Sequence, residues 1–486
     1  MKLINKVKTL LPQGRFARSV AVLAGGAALG QALSLLAAPF ITRLYTPEDF
    51  GVLAVYASFL GIFSVIAGLR YELAIPLPED DKDALNILVL TLGVVFCNSV
   101  LVGLGTWLFG SQVLVFANAQ VIEPYLGLLP LGVLMVGTYQ AFNYWAVRKK
   151  TFSQLARTRL NQGIGSVLTQ VGLGLFGTGP IGLILGQVVG QAAGVGTLAR
   201  SAYESSSSLL KDIRLTALRR EARRYKRFPM FTTWAGFANT LSTQLPTLLF
   251  AALFSPEVAG LYMFANRILS VPLGLVGNAV GQVFHGRAAA VRRSGELADE
   301  TLSAFKQLVR LGLAPLTLLI VGAPEIFMLL FGEAWRFSGT YAQWLLPSVI
   351  LTFITSPLST LVSVMEYQVQ GLVFQFSLLS ARVAAVLLAA FLGSSALAVG
   401  LYGVLSFMVY LGFMVWLMKA VGIVLKDWLL PFLRELALAL PLVLSLYVLK
   451  IVLVQSYPQY LSHGVFLSTV VAMLLVIAWR VLPAWR

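Results

Sequence analysis

Long apolar stretches, separated by short polar loops, follow one another along the chain from residue 20 to residue 482. Fourteen of them are close to the roughly 20 residues that a helix needs to cross the hydrocarbon core of a bilayer. They cover residues 20–42, 50–69, 85–109, 125–147, 160–177, 181–198, 230–254, 258–284, 308–331, 341–365, 373–392, 396–418, 428–449 and 464–482. The pattern predicts an all-α integral membrane protein with about fourteen transmembrane helices, of which the last two are the least sharply bounded.

The charged residues agree with this class and add an orientation. Only 12% of the 486 residues are charged, whereas soluble domains carry about 25%. The net charge is +16, and 31 of the 36 Lys and Arg residues fall on the side that would face the cytoplasm. The opposite loops hold Arg43, Arg336 and Lys450. This is the positive-inside pattern, and it predicts that both termini are cytoplasmic. Because basic cytoplasmic loops are expected of any such protein, the charge does not indicate nucleic-acid binding.

The residue types needed for catalysis are scarce. The single cysteine, Cys97, lies inside a predicted span and excludes a disulfide within the chain or a cysteine metal cluster. The sequence contains two histidines, no Gly-rich nucleotide-binding loop and no large extracytoplasmic loop. We therefore predict a transporter rather than an enzyme, with no cofactor and no bound metal.

Short motifs recur at similar places in the two halves of the chain. The matched pairs are residues 46–48 with Gly51 and residues 255–257 with Gly260, residues 108–110 and 330–332, and Pro130 and Pro347. The copies are offset by between 209 and 222 residues, and each contains six spans. Because six is even, both copies enter the membrane from the same side, which predicts a parallel repeat like those of carriers that rock two lobes about a central site.

The repeat predicts four regions. They are an N-terminal lobe of helices 1–6 at residues 1–200, a basic cytoplasmic linker at 201–228, a C-terminal lobe of helices 7–12 at 229–420, and two added helices at 421–486. The first fifteen residues are amphipathic and basic, which favours a short interfacial helix on an anionic leaflet.

Polar residues follow one face of the eighth span. Arg267, Ser270, Gly274, Asn278, Gln282 and His285 succeed one another in steps of three or four residues. Small and hydroxyl side chains on such a face also suit helix–helix packing, so that reading stays open for them. Arg267 is different, because a guanidinium at membrane depth needs a partner or water. We predict that it faces a hydrated cavity.

The candidate substrate-binding residues extend over several spans. They are Arg267, Arg70, Arg382, Asn266, Ser270, Asn278, Gln282, Asn239 and Gln244. Arginine stays charged and binds phosphate with two parallel hydrogen bonds, so fixed arginines predict an anionic substrate. Snorkelling to the interface is an equally good explanation for Arg70. The acids at positions 72, 79, 80, 81 and 83 are predicted to form a solvated cytoplasmic turn that pairs with nearby basic loops.

Several stretches resemble one family of membrane proteins. They are residues 44–51, with the sequence LYTPEDFG, residues 70–75, with RYELAI, and residues 225–229, 260–262 and 265–269 in the second half. In order and spacing they resemble Wzx-type polysaccharide flippases of the multidrug/oligosaccharidyl-lipid/polysaccharide exporter superfamily. Arg267 matches a position at which related flippases of lipid-linked sugars carry a cavity arginine.

The resemblance implies two six-helix lobes around a central cavity, with two added helices. It implies a flippase of the bacterial inner membrane that moves undecaprenyl-pyrophosphate-linked oligosaccharide repeat units to the periplasmic leaflet by alternating access. The product would serve O-antigen, capsule or exopolysaccharide synthesis, with a polymerase and a chain-length regulator as partners. Coupling to a proton or sodium gradient or to the membrane potential is left open, and a monomer is expected.

Three alternatives remain open. A cation-coupled drug or small-molecule exporter could share this fold, although the chain lacks the acid in the first span that such exporters often use. A membrane enzyme that polymerises or ligates glycans belongs to a different class. A partner subunit without transport of its own is the third alternative.

Overall fold

A computed structural model describes residues 15–116, 118–291, 295–456, 465–466, 468–470 and 472–473. In these residues the regular elements are all helices, as predicted, and no strand is present. Most of the predicted interfacial helix and most of the fourteenth span lie outside the described residues.

The chain forms two compact units, Met1–Gly260 and Leu261–Arg486. The first contains α1 (Arg15–Leu44), α2 (Pro47–Ala67), α3 (Asp81–Phe116), α4 (Leu128–Arg148), α5 (Phe152–Leu175), α6 (Pro180–Ala192), α7 (Val195–Ser206), α8 (Leu215–Arg224) and α9 (Thr233–Leu253). Helix α10 (Pro256–Val291) begins in the first unit and continues into the second. The second unit continues with α11 (Leu297–Phe331), α12 (Arg336–Leu358), α13 (Thr360–Val364), α14 (Gln368–Phe391), α15 (Ser395–Ala420) and α16 (Leu425–Ser456). The seventh span therefore groups with the first unit, and the lobe boundaries inferred from the repeat stay a prediction.

Each of the first thirteen predicted spans coincides with one or two helices. The sixth is interrupted at residues 193–194, between α6 and α7, and the tenth at Ser359, between α12 and α13. Both interrupted stretches, Pro180–Ser206 and Glu333–Val364, are still long and apolar enough to cross a membrane. Eight stretches of the described residues meet that criterion.

The two copies of the repeated motif begin their helices in the same way. Before α2, the hydroxyl of Thr46 accepts from the backbone N–H of Asp49 at 3.2 Å, and the Asp49 carboxylate accepts from the backbone N–H of Thr46 at 2.8 Å. This reciprocal capping box, followed by Pro47, fixes the first turn. Before α10, the Ser255 hydroxyl accepts from the backbone N–H of Val258 at 3.2 Å.

The glycines of the two motifs meet where the first turns of α2 and α10 cross, inside the first unit. A Cβ atom on Gly51 would overlap the carbonyl oxygen of Pro256 and lie 2.9 Å from its Cα. A Cβ atom on Gly260 would overlap the carbonyl oxygen of Pro47 and lie 2.6 Å from the backbone nitrogen of Gly51. Glycine at both positions is therefore what lets the two backbones touch.

Two ion pairs join α16, the predicted thirteenth span, to α11 in the second unit. Arg310 lies 3.4 Å from Glu435, and Lys450 lies 2.9 Å from Glu325. The pairs are separated by the same number of residues on both helices, about 22 Å at 1.5 Å per residue, so the helices run parallel and in register. Phe466, from the fourteenth span, packs in an apolar cluster with residues of both helices.

Candidate functional site

The second unit contains a cavity of about 260 Å³ between α10, α12, α14 and α15. It is lined by Asn266, Ser270, Leu273, Gly274, Gly277, Leu345, Ser348, Val349, Thr352, Phe353, Ser356, Arg382 and Tyr402. Three of the predicted site residues, Asn266, Ser270 and Arg382, are thus brought together in one place. Their role in substrate binding stays a prediction.

Arg382, on α14, supplies the positive charge of this cavity. Its Nε donates a hydrogen bond to the Ser406 hydroxyl at 3.3 Å. Its guanidinium lies 5.1 Å from the centre of the Tyr402 ring, a cation–π contact. The Tyr402 hydroxyl is in turn hydrogen-bonded to Tyr262 at 3.0 Å. In the described part of the chain no carboxylate forms an ion pair with Arg382, so neutral groups hold the cation and leave its charge uncompensated.

A ladder of hydroxyl groups on α12 lines the same cavity as this charge. Ser348, Thr352 and Ser356 recur every four residues and therefore share one helix face. The Ser348 hydroxyl donates to the carbonyl of Leu345, and the Thr352 hydroxyl donates to the carbonyl of Ser348, both at 2.8 Å. Because their protons are used within the helix, these two hydroxyls present acceptor lone pairs to the cavity.

The sequence analysis did not single out this ladder. Its four-residue spacing is visible in the sequence and could have revealed it. Serine and threonine at such spacing are also ordinary in packed membrane helices, so the spacing alone is a weak signal.

Arg267, the leading candidate from the sequence, does not line this cavity. Its side chain is exposed, and the described residues provide it with no ion pair or hydrogen bond. From α10 the cavity is lined by Asn266, which lies outside the predicted polar face, and by Ser270 and Gly274, which belong to that face. The side chains of Asn278 and Gln282 lie outside the described residues.

The other candidates, Arg70, Asn239 and Gln244, belong to the first unit. The Arg70 guanidinium lies against α9, with Nη2 at 2.6 Å from where a Cβ atom on Gly236 would be. Gln244 lies against α2, with Nε2 at 2.6 Å from the equivalent position of Gly61. Asn239 is exposed. Glycines on the facing helices thus make room for two polar side chains of the first unit.

The prediction of a solvated acidic turn is correct for most of its residues and wrong for Glu72. Glu79 and Asp80 are exposed, and Asp81 pairs with Arg148 at 2.9 Å. Glu72, in contrast, is only 2% exposed. The chain turns back at Leu69 and Arg70, whose φ angles are 47° and 62°, and this places the Glu72 carboxylate beside Gly68. Residue type gave no indication of that turn, because left-handed backbone is uncommon outside glycine and asparagine.

Comparison with known proteins identifies the family of this chain. Its residues 40–338 match a family described as polysaccharide biosynthesis protein. The chain belongs to this family. It is 25% identical over 314 residues to the succinoglycan biosynthesis transport protein ExoT of Rhizobium meliloti (strain 1021). The aligned part covers 63% of this chain and 60% of that relative, so the match spans about three fifths of the relative's length.

Solved structures show the same fold at low sequence identity. The lipid II flippase MurJ, in an inward closed conformation, has a TM-score of 0.70 at 11% identity, covering 94% of this chain and 98% of its own. A multidrug resistance MATE family transporter of the MOP superfamily, in an inward-facing conformation, has a TM-score of 0.64 at 14% identity, covering 81% and 94%. The fold class inferred from the apolar stretches is confirmed. The prediction of a transporter rather than an enzyme agrees with these similar proteins, which are named as a transport protein, a flippase and a transporter.

Proposed function

We propose that this family member is a flippase for undecaprenyl-pyrophosphate-linked oligosaccharide repeat units. It would move them from the cytoplasmic to the periplasmic leaflet of the bacterial inner membrane, with both termini cytoplasmic. The observation that carries the proposal is the cavity of the second unit, which is lined by a ladder of hydroxyl acceptors and by an arginine that no carboxylate of the described residues pairs with.

The two kinds of polar group in the cavity suit the two parts of such a substrate. Arg382 keeps donors for a phosphate oxygen, and charge-assisted hydrogen bonds of this kind are about twice as strong as neutral ones. Sugar hydroxyls are donors and can bond to the lone pairs of Ser348 and Thr352. A volume of about 260 Å³ is slightly below the roughly 300–1,000 Å³ of sites for drug-sized ligands. It therefore has room for one sugar or for the pyrophosphate, and the rest of the repeat unit would lie outside it.

Transport of this kind requires no covalent chemistry. Two states of similar energy suffice if the substrate binds them unequally, because a ligand shifts an equilibrium by its difference in affinity. We propose alternating access on this basis. Partnership with a polymerase and a chain-length regulator, and function as a monomer, are part of the same proposal.

The test is flipping in proteoliposomes. Purified protein is reconstituted with a fluorescent undecaprenyl-pyrophosphate oligosaccharide, and its exposure to a membrane-impermeant reagent is followed over time. We expect Arg382→Ala to slow flipping by about tenfold or more, since hydrogen bonds to charged groups contribute roughly 1.5–3 kcal/mol. Arg382→Lys should lie between this variant and the wild type, because it keeps the charge and loses the planar fork.

The control is Arg336→Ala, which removes an exposed arginine of the same unit that lies outside the cavity lining and is paired with Glu333. It should flip at the wild-type rate. No protein-dependent exposure under any ion gradient would reject the flippase. Equal rates for Arg382→Ala and the control would reject the assignment of the cavity.

The drug-exporter alternative predicts the opposite charge preference. Among the described residues that line the cavity, the only charged side chain is a cation, Arg382. A cavity of this composition repels cationic drugs. Accumulation of a cationic dye in the same proteoliposomes, without flipping of the lipid-linked sugar, would favour the exporter.

A further inference from the structure

The buried turn after α2 contains an acid, Glu72, that has no role in the transport cycle proposed above. Leu69 and Arg70 both adopt left-handed backbone conformations, with φ of 47° and 62°. Non-glycine residues take this conformation only when their surroundings impose it, and such strain concentrates at functional sites. Here the turn directs Arg70 and Glu72 towards each other.

The Glu72 carboxylate is poorly compensated for a buried charge. Its Oε1 lies 3.8 Å from Nη1 of Arg70, while its Oε2 is buried and has no hydrogen-bond partner in the described part of the chain. Oε2 lies 2.6 Å from where a Cβ atom on Gly68 would be, and the methyl group of Thr91 borders the same position. A carboxylate with a free oxygen in such surroundings is stabilised by taking up a proton.

The hydrogen-bond donors of Arg70 are also only partly used. Its Nε is buried without a partner, although its side chain is 24% exposed. It lies against α9 at Gly236, on the face that also carries the exposed Asn239. A guanidinium has five donors, and one carboxylate oxygen at 3.8 Å satisfies few of them. Arg70 therefore retains both access and donors for a second anion.

We infer that Glu72 is a proton-binding site that sets the affinity of Arg70 for a phosphate group of the substrate. A proton taken from water adds to the free oxygen of Glu72 and makes the carboxyl neutral. Arg70 then has no counter-charge and can hold the anion. When the proton leaves, the carboxylate pairs with Arg70 again and competes with the phosphate. Proton and anion thus bind together, and each raises the affinity for the other by the same factor.

The charges around the turn support this assignment. Burial raises the pKa of the Glu72 carboxyl, and its own backbone N–H and the Arg70 guanidinium oppose that rise. From α4, Tyr144 faces the same carboxylate. Segment 228–232, which packs on the turn, carries no charged side chain. The acids at the start of α3 are already paired, Asp81 with Arg148 and Asp83 with Arg220. A raised pKa means that Glu72 is neutral at acidic pH and ionised at alkaline pH, so anion binding should strengthen on acidification.

The experiment measures binding of a short prenyl-pyrophosphate-linked disaccharide to the full chain in nanodiscs, at about pH 5.5 and about pH 8, on either side of the range in which histidine and raised carboxyls titrate. Both phosphates of this probe are esterified and stay ionised at both pH values, so the probe itself does not titrate. The wild type should bind about tenfold more tightly at the acidic pH, the effect of one unit of pKa coupling. Glu72→Gln should bind tightly at both pH values, and Arg70→Gln weakly at both.

The matched control is Glu325→Gln, which neutralises another buried acid, in its ion pair with Lys450 in the second unit. It should keep the wild-type pH dependence. If Glu72→Gln does not fold, infrared difference spectroscopy of the wild type should still show a carboxyl group protonating between these pH values, and Glu72→Asp should shift its midpoint.

The inference rests on the proposed function, and the outcomes separate the two. Binding of the probe that is lost in Arg382→Ala but is independent of pH in the wild type would leave the flippase intact and overturn the role of Glu72. Persistence of the pH dependence in Glu72→Gln would also overturn it. Absence of binding at both pH values would reject the proposed function and the inference together.

Discussion

The crossing of α2 and α10 makes a sharp prediction about two glycines. Gly51 and Gly260 are equivalent positions of the sequence repeat, and each faces the backbone of the other's first turn. We expect Gly51→Ala and Gly260→Ala each to destabilise the protein. Backbone atoms, unlike the end of a flexible side chain, cannot rotate away, so the added methyl group forces the two helices apart.

The expected size follows from the distances. A methyl group on Gly51 would lie 2.9 Å from the Cα of Pro256, and one on Gly260 would lie 2.6 Å from the backbone nitrogen of Gly51. Overpacking of this kind costs about 1–3 kcal/mol. Alanine's better helix propensity offsets up to about 1 kcal/mol of that cost, so each variant should lose about 1–2 kcal/mol. Because one separation of the helices makes room for both methyl groups, the double variant should cost less than the sum of the two single variants.

Thermal unfolding of the three variants in nanodiscs, at one fixed scan rate, measures these differences. The fixed rate matters because unfolding of large proteins is often irreversible. The control is Gly93→Ala on α3, where an added Cβ meets nothing within 4 Å. That variant should be as stable as the wild type or slightly more stable. Equal midpoints for Gly51→Ala and Gly93→Ala would refute the close crossing, and full additivity in the double variant would refute the shared contact.

Two further contacts give testable differences. Lys450→Met should lower the free energy of unfolding by about 3 kcal/mol, since it leaves the buried Glu325 carboxylate unpaired. Glu325→Gln should lower it by about 1 kcal/mol, because Lys450 is 27% exposed and can reach water. Equal melting midpoints for the two variants would contradict this asymmetry. Tyr402→Phe should lower the free energy of unfolding by about 1 kcal/mol through the lost hydrogen bond to Tyr262, but it keeps the ring beside Arg382 and should still transport. Tyr402→Ala should lose both stability and transport. Transport by Tyr402→Ala at the wild-type rate would show that the ring does not position Arg382.

The apolar stretches predicted thirteen helices well because length and hydrophobicity decide whether a segment can cross a membrane, and both are local properties of the sequence. The breaks at residues 193–194 and at Ser359 were not predicted, since neither interrupts the apolar pattern. The burial of Glu72 was missed for a related reason. It depends on a left-handed turn at Leu69 and Arg70, which neither residue type indicates.

The candidate site shows where periodicity stops being informative. The spacing of polar residues tells which side chains share a face of one helix, but not which other helix that face meets. Arg267 stood out because it leads such a stripe, yet the flank of α10 that lines the cavity begins at Asn266. Arg382 stood out less, as an isolated charge in an apolar span. Its importance comes from Tyr402 and Ser406, which lie on the next helix along the chain.

Close backbone contacts explain why those partners could not be inferred. Gly403, beside Tyr402, brings α15 so near to α12 that an added Cβ would overlap the carbonyl of Trp344. This approach sets α15, which carries Tyr402, against α12, which carries the hydroxyl ladder. In the sequence, Gly403 looks like any small residue at a packed interface, and the ladder looks like ordinary packing as well. What makes the same residues a candidate binding surface is the space of about 260 Å³ left beside that contact. Such a space is a property of four helices together and belongs to none of their individual patterns.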